Sequence, residues 1–185
     1  MTFTKINSIH RLFVLILISN CFTNCTNHSQ SDNKKSLAGM YKLYSIEEQD
    51  STGIWKEAEW AKGGESYIIY DGLGHMAVQI IPKGYNDFKW LIEEQAINQK
   101  IVKQKLDSMS TADLKAAVAE FASNYTYVAN YTVDDTANVV THNRITSSIP
   151  IVWNTVVKRK FSFSGDTIIL SPLTVKIRLK WIRQK

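Results

Sequence analysis

Polar and apolar residues alternate along most of the chain after residue 35, which is the spacing of β-strands with one buried face. Turn-forming residues such as Asp71-Gly72-Leu73-Gly74 separate the alternating segments. The pattern predicts strands over residues 37–48, 54–56, 66–70, 75–81, 125–133, 139–146, 153–163, 167–170 and 173–183. Eight or nine strands with short connections favour a mainly β fold, a single antiparallel up-and-down β-barrel, because closing the sheet removes its unpaired edges.

The spacing becomes helical over about residues 87–123, between the fourth and fifth predicted strands. A first helix is predicted from residue 87 to about residue 109. Ser110 and Asp113 then form a predicted capping box that starts a second helix. Its apolar face would consist of Leu114, Ala117, Val118, Phe121 and Ala122. This two-helix insertion is too long for a hairpin loop, so we expect it to lie near a mouth of the barrel and to bear on function.

The first twenty residues have the pattern of an export signal. Lys5 and Arg11 supply positive charge, and residues 12–18 form an unbroken apolar run. That run is far shorter than the roughly 20 residues of a transmembrane helix. We therefore predict a signal peptide over residues 1–20 rather than a membrane span.

The residues before Cys21 resemble a bacterial lipobox, with Asn20 at the position where Gly or Ala is usual. The resemblance implies a lipoprotein-type signal and lipidation of Cys21, with Cys25 as the alternative position. Simple peptidase cleavage, which would leave both cysteines spare, is the alternative to lipidation. Residues 21–36 are polar and predict a flexible tether to a domain over residues 37–185. The location expected is the bacterial cell envelope, on the periplasmic side or in the outer membrane.

Composition narrows the function classes. Apolar residues make up 44% of the chain, which is enough for a sizeable core. The net charge is +5, and without Lys5 and Arg11 the excess is +3. The densest basic stretches, residues 158–160 and 176–185, lie on predicted strands, whose neighbouring side chains point to opposite faces. The sequence therefore indicates no nucleic-acid partner.

Motifs for metal, nucleotide and hydrolase chemistry are absent from the predicted domain. It contains no cysteine, and its histidines are His75 and His142, without metal-ligand spacing. It also lacks a phosphate-binding glycine loop and a Gly-x-Ser-x-Gly elbow. We therefore expect no metal and no cofactor, and no pattern in the sequence establishes an enzyme.

Four short motifs occur in an order and spacing that resemble the bacterial lipocalin-like domain family. They are residues 39–45 (GMYKLYS), 70–79 (YDGLGHMAVQ), 131–142 with YTVD and VTH at its ends, and 159–166 (RKFSFSGD), and the chain closes with LKWIR at 179–183. Tyr41 stands where the family's first strand carries a tryptophan, and Leu73 stands where an aspartate is usual. The resemblance implies a calycin-type barrel whose interior receives a small hydrophobic molecule. It implies no single chemistry, since one fold serves many functions.

Two polar residues on predicted strands are candidates for contact with a ligand. His142 would hydrogen-bond a ligand or act as a general base, or it would be a histidine satisfied by its neighbours. Arg159 would orient a ligand carboxylate through its fork, pack across the first-strand aromatic residue at the barrel's closed end, or be solvated. Six aromatic residues are candidate ligand contacts or plain core: Tyr41, Tyr70, Tyr127, Tyr131, Trp153 and Trp181.

Three functions remain open at this point. The first is an exported, lipid-anchored barrel that binds a small, mostly apolar ligand. The second is an isomerase or cyclase that acts on an apolar substrate in the barrel, with His142, Arg159 and a tyrosine converging. The third is a structural envelope lipoprotein that binds another protein through the helices, which a large exposed apolar patch would favour.

Overall fold

A computed structural model describes residues 36–59, 62–85 and 90–185. The predicted signal peptide, both cysteines and nearly all of the predicted tether lie outside the described residues. Among those residues, no helix combines the length and the apolar character that a membrane crossing requires.

Nine antiparallel strands make up the sheet, as the alternation predicts. Their bounds are β1 Gly39–Gln49, β2 Trp55–Glu57, β3 Tyr67–Tyr70, β4 His75–Ile80, β5 Tyr125–Asp134, β6 Val139–Ser147, β7 Val156–Ser164, β8 Thr167–Pro172 and β9 Ile177–Arg183. The order in the sheet is β2-β1-β3-β4-β5-β6-β7-β8-β9, and β1 also pairs with β9. That last pairing closes the sheet, and the predicted mainly β barrel is confirmed.

The two edges of strand β1 pair with different strands. Along one edge, residues 39–42 pair with β3 and residues 47–49 pair with β2. Along the other edge, residues 41–48 pair with β9. The closed barrel therefore consists of eight strands, and β2 is an additional short strand beside the second half of β1.

Two irregularities shift the side-chain alternation. The pairing of β1 with β9 skips Tyr44, and the pairing of β6 with β5 skips Ile145. Beyond such a bulge the residues that face inward change by one position. Strict alternation along β1 predicts that Ser45 shares the inward face of Tyr41 and Leu43. That prediction is wrong, because after the bulge Ile46 rather than Ser45 lies opposite the interior residue Leu179.

Strand β7 begins three residues later than predicted. A short 3₁₀-helix, Pro150–Val152, precedes it, and Asn154 adopts a positive φ of 54°. Left-handed backbone does not continue a strand, and asparagine tolerates it better than most residues. Trp153 consequently lies before the strand, and its exposed fraction is 49%. Its indole N–H donates to the carbonyl of Ser147 at 2.7 Å.

Three helices, rather than the predicted two, connect β4 to β5: α1 Glu93–Ala96, α2 Gln99–Ser108 and α3 Thr111–Ser123. The first predicted helix is divided because the Asn98 side chain accepts hydrogen bonds from the N–H groups of Lys100 and Ile101 and so starts a new helix. The predicted cap of the last helix is confirmed, since Ser110 Oγ accepts from the Asp113 N–H at 3.1 Å.

One end of the barrel is closed by the segment that precedes β1. Leu37 is fully buried in the core, and the Tyr41 hydroxyl donates to its carbonyl at 3.1 Å. Arg183, at the end of β9, donates to the carbonyls of Ser36 and Ala38 and to the Tyr41 hydroxyl. Its guanidinium carbon lies 4.7 Å from the centre of the Tyr41 ring. The arginine that packs across the first-strand aromatic residue is therefore Arg183 and not Arg159.

The helices leave and rejoin the barrel at its other end. Strand β4 ends at Ile80 and β5 begins at Tyr125, and these two residues are paired across the sheet. The longer connections therefore lie at this end, whereas the tight β3–β4 and β7–β8 turns lie at the closed end. We call the end with the helices the open end.

Candidate functional site

His142 is at the centre of a polar cluster inside the barrel. It lies on β6, paired with Tyr131 of β5 and Val157 of β7, and it is fully buried. Its Nε2 lies 2.9 Å from the Tyr70 hydroxyl, and its Nδ1 lies 2.8 Å from the Tyr127 hydroxyl. The same Nδ1 lies 3.0 Å from Nη1 of Arg159. Four side chains from β3, β5, β6 and β7 thus converge at one point.

The contact with Arg159 determines the tautomer of His142. A guanidinium group has only donors, so the Nδ1 that faces it must accept. The ring proton therefore lies on Nε2, which donates to the Tyr70 hydroxyl. The Tyr127 hydroxyl also donates to Nδ1, so that both ring nitrogens are engaged by neighbouring side chains.

Burial and charge hold this cluster in its neutral form. Desolvation, followed by the positive charges of Arg159 and Arg144, keeps the pKa of His142 well below its usual range. Burial likewise raises the pKa of Tyr70 well above its usual value and raises that of Tyr127. The imidazole is therefore uncharged at neutral pH, and the arginines carry the positive charge of the site.

Arg144 is the second arginine of the cluster. Its Nη1 donates to the Tyr125 hydroxyl at 3.0 Å. The guanidinium carbons of Arg144 and Arg159 lie 5.8 Å and 6.0 Å from the centre of the Tyr127 ring. Neither arginine forms an ion pair with a carboxylate in the part of the chain that the structure describes.

A small cavity lies beside this cluster. Its volume is about 10 Å³, which is room for about one water molecule. Apart from Arg159, its lining is largely apolar or aromatic: Ile68, Val78, Ile80, Tyr125, Tyr127, Leu170, Leu179 and Trp181. Ile80, Tyr125 and Leu179 are only partly buried. The lining therefore includes both Arg159 of the polar cluster and residues of the open end.

The structure brings most of the predicted site residues together. Tyr70, Tyr127, His142 and Arg159 form the hydrogen-bonded cluster, and the Tyr131 ring packs edge-on against Tyr70 with 4.9 Å between ring centres. Trp181 lines the cavity, and Tyr41 lies in the core near the closed end.

Trp153 does not belong to this group. Strand alternation over residues 153–163 predicts that Trp153 is an interior residue. The 3₁₀-helix and the positive φ of Asn154 end that alternation before Trp153, so its side chain lies outside the barrel.

Sequence reasoning missed Arg144, Tyr125 and Arg183 as parts of these networks. Arg144 alternates with His142 on one face of β6, so the alternation itself places it beside the cluster. Tyr125 is the first residue of β5 and shares the interior face of Tyr127. No comparable local signal distinguishes Arg183 from the other basic residues of the C-terminal strand.

An apolar groove lies on the helical insertion, away from the polar cluster. Its volume is about 390 Å³, and it is lined mainly by Trp90, Leu91, Val102, Leu106, Ala117, Val118 and Phe121. Ala117 is buried, whereas Phe121 has an exposed fraction of 67%. The predicted apolar face of α3 thus exists and is largely exposed.

The described residues contain no group of three or more His, Cys, Asp or Glu side chains with the geometry of a metal site. His75 instead pairs with Asp71 in the β3–β4 turn, with 2.6 Å between Nδ1 and Oδ2.

The chain is similar to proteins of known structure and to a family profile. A lipocalin-like protein from Bacteroides uniformis is 10% identical, with a TM-score of 0.40, and the match covers 80% of this chain and 98% of that chain. A DUF4847 family protein from Bacteroides vulgatus is 12% identical, with a TM-score of 0.30, and the match covers 80% of this chain and 96% of that chain. No curated protein matches the chain. The sequence profile of the lipocalin-like domain matches residues 38–184, and the chain therefore belongs to the lipocalin-like domain family.

Proposed function

We propose that this protein binds a small, mostly apolar ligand in the interior of its barrel, through the open end. The observation that carries the proposal is the cavity beside Arg159, whose largely apolar and aromatic lining includes residues of the open end. Leu37 and the Arg183–Tyr41 contact close the opposite end, so a ligand has one direction of approach. An apolar lining with a few polar groups is the usual composition of a small-molecule site.

Binding requires side chains to move. A cavity of about 10 Å³ holds no more than about one water, so the ligand must displace residues of the open end or the Arg159 side chain. Ile80, Tyr125 and Leu179 are partly buried and are not held in the centre of the core. We therefore expect ligand binding to select an opened form of this end of the barrel.

A fluorescence titration with N-phenyl-1-naphthylamine, a neutral apolar probe, tests the proposal. Saturable binding is expected for the unmodified protein, and Ile80→Trp is expected to weaken it because the larger ring fills the cavity. Ile69→Trp is the matched control, since Ile69 lies on β3, next to the β4 strand of Ile80, and has an exposed fraction of 45%. Thermal unfolding monitored by circular dichroism verifies that both variants fold.

Two results would contradict the proposal. Absence of saturable binding argues against an interior site altogether. Equal binding by Ile80→Trp and Ile69→Trp would instead locate the probe outside the barrel, and Phe121→Ser then shows whether it binds in the helix groove.

The isomerase or cyclase alternative requires His142 to act as a base. His142, Arg159 and two tyrosines do converge, as that hypothesis demands. However, Nδ1 already accepts hydrogen bonds, and Nε2 carries the ring proton. A base needs a free lone pair, so the observed geometry favours binding over catalysis.

The exposed groove between α2 and α3 is the observation that favours the third possibility, an envelope protein that binds another protein. It does not compete with the barrel site, because the two are lined by different residues. A barrel that binds a ligand and an insertion that contacts a partner are compatible in one chain.

Export and lipid anchoring at Cys21 complete the proposal. Cys21→Ser is expected to release the protein from the membrane fraction and to abolish labelling by a radioactive fatty acid. Cys25→Ser is the control and is expected to keep both properties. Continued labelling of the Cys21→Ser protein would contradict the assignment and would point to Cys25.

A further inference from the structure

We propose that the ligand of this barrel is an amphipathic carboxylate, whose head group binds the guanidinium groups of Arg159 and Arg144 while its apolar part lies against the cavity wall. The inference depends on the proposed function and specifies the ligand class of the same site.

The charge of the site lacks a counterpart. Arg159 and Arg144 both lie beside the Tyr127 ring, and neither has a carboxylate partner among residues 36–59, 62–85 and 90–185. By contrast, Arg178, which is likewise partly buried, and its neighbour Lys180 both bind Glu47. Arg159 and Arg144 are both partly buried. Even partial removal of a guanidinium from water is costly unless an anion compensates it, so two arginines without a carboxylate partner favour an anionic ligand.

Two buried donors of the site lack an acceptor in the described structure. Within the described structure, Arg144 Nε and the Trp181 indole N–H are buried without a hydrogen-bond partner. His142 supplies one acceptor, Nδ1, which Arg159 and Tyr127 already share. A carboxylate has two oxygens with about four acceptor positions and no donor, and it matches the planar fork of an arginine.

The remainder of the lining indicates an apolar tail. Between Arg159 and the open end, the cavity wall consists of Ile80, Leu179 and other apolar or aromatic residues. A small inorganic anion would leave this wall unused, and a neutral hydrocarbon would leave the arginines unpaired. A molecule with a carboxylate at one end and a hydrocarbon at the other satisfies both parts of the site.

The neutral state of His142 is consistent with a site in which the arginines bind the carboxylate and the apolar wall contacts the hydrocarbon. The positive charge of both arginines contributes to the lowered pKa of His142. A bound carboxylate would offset that charge, so the pKa of His142 is expected to rise when the ligand binds.

Isothermal titration calorimetry with dodecanoate and dodecan-1-ol, which share one alkyl chain, tests the inference. Dodecanoate is expected to bind at least about tenfold more tightly, because it alone gains charge-assisted hydrogen bonds. Added sodium chloride is expected to weaken the binding of dodecanoate more than that of dodecan-1-ol. This comparison uses the unmodified protein and therefore does not depend on the folding of a variant.

Substitutions then test which arginines bind the carboxylate. Arg159→Gln and Arg144→Gln are each expected to reduce the preference for dodecanoate. Arg178→Gln, which removes an arginine that binds Glu47, is expected to keep it. Equal affinities for the acid and the alcohol in the unmodified protein would overturn the inference and leave the proposed function intact. The inference would also be overturned if folded Arg159→Gln and Arg144→Gln proteins kept the full preference. If neither dodecanoate nor dodecan-1-ol binds and the neutral probe also fails, the proposed function itself is wrong.

Discussion

At the scale of single residues, His142 is a titratable side chain that joins several other side chains inside the core. Its two ring nitrogens are occupied by Tyr70, Tyr127 and Arg159. A buried polar group that is fully hydrogen-bonded adds specificity to a core, whereas the same group without partners costs free energy. We therefore interpret His142 as the residue that orients the interior tyrosines and Arg159.

The pH dependence of stability tests this role of His142. The unfolded chain protonates histidine near the usual pKa of 6.5, while the folded protein keeps His142 neutral to much lower pH. As pH falls below 6.5, the unfolded state binds a proton that the folded state does not, so the free energy of unfolding decreases by up to about 1.4 kcal/mol per pH unit. Urea unfolding between about pH 5 and pH 7.5 measures this slope, and His142→Gln is expected to reduce it. Identical slopes for the two proteins would contradict the assignment.

At the scale of elements, the strands and helices of this chain differ in how far their apolar residues are buried. The strands direct their apolar and aromatic residues into one continuous core, which includes Phe161 and Trp181. Helix α3 has a comparable apolar face, yet Val118 and Phe121 remain exposed. An apolar stripe in the sequence therefore corresponds to buried residues in the barrel and to largely exposed residues in the insertion.

Two phenylalanine substitutions compare these elements directly. Phe161 has an exposed fraction of 5% and Phe121 one of 67%. Phe161→Ala is expected to lower the free energy of unfolding by about 3–5 kcal/mol, because it leaves a cavity in the core. Phe121→Ala is expected to change it by no more than about 0.5 kcal/mol. Chemical denaturation measures both values, and a large loss in Phe121→Ala would show that the groove is covered in solution.

At the scale of the whole molecule, the barrel depends on closure and not on the helical insertion. The pairing of β1 with β9 joins residues about 140 positions apart in the chain and removes both open edges of the sheet. The insertion, in contrast, begins and ends at neighbouring positions, since Ile80 and Tyr125 are paired. The helices are therefore an addition to one hairpin of an otherwise complete barrel.

Replacement of residues 83–123 by a short glycine- and asparagine-rich loop tests this division. The shortened protein is expected to keep its near-ultraviolet circular dichroism and to unfold cooperatively, because β4 and β5 remain paired. Deletion of residues 177–185 is expected to abolish cooperative unfolding, because it exposes two strand edges and removes Trp181 from the core. A shortened protein without cooperative unfolding would show that the helices are part of the folding unit.

The sequence by itself determined the features that arise from local spacing. Alternation and turn residues identify the strands, helical spacing and Ser110 identify α3, and the order of short motifs indicates the family. Interior aromatic residues such as Tyr70 and Tyr127 follow from the same alternation, because successive strand residues point to opposite faces.

Only the tertiary structure decided which polar groups meet. Alternation of polar and apolar residues does not predict local changes in backbone geometry. Such changes produce the bulges at Tyr44 and Ile145, the placement of Trp153 outside the barrel and the division of α1 from α2. His142 contacts Arg159, whereas Arg183 closes the other end of the barrel. Both contacts depend on the register between strands that are distant in the chain. A one-residue shift in register reverses the face of every side chain on a strand, so the site emerges only when all eight strands are paired.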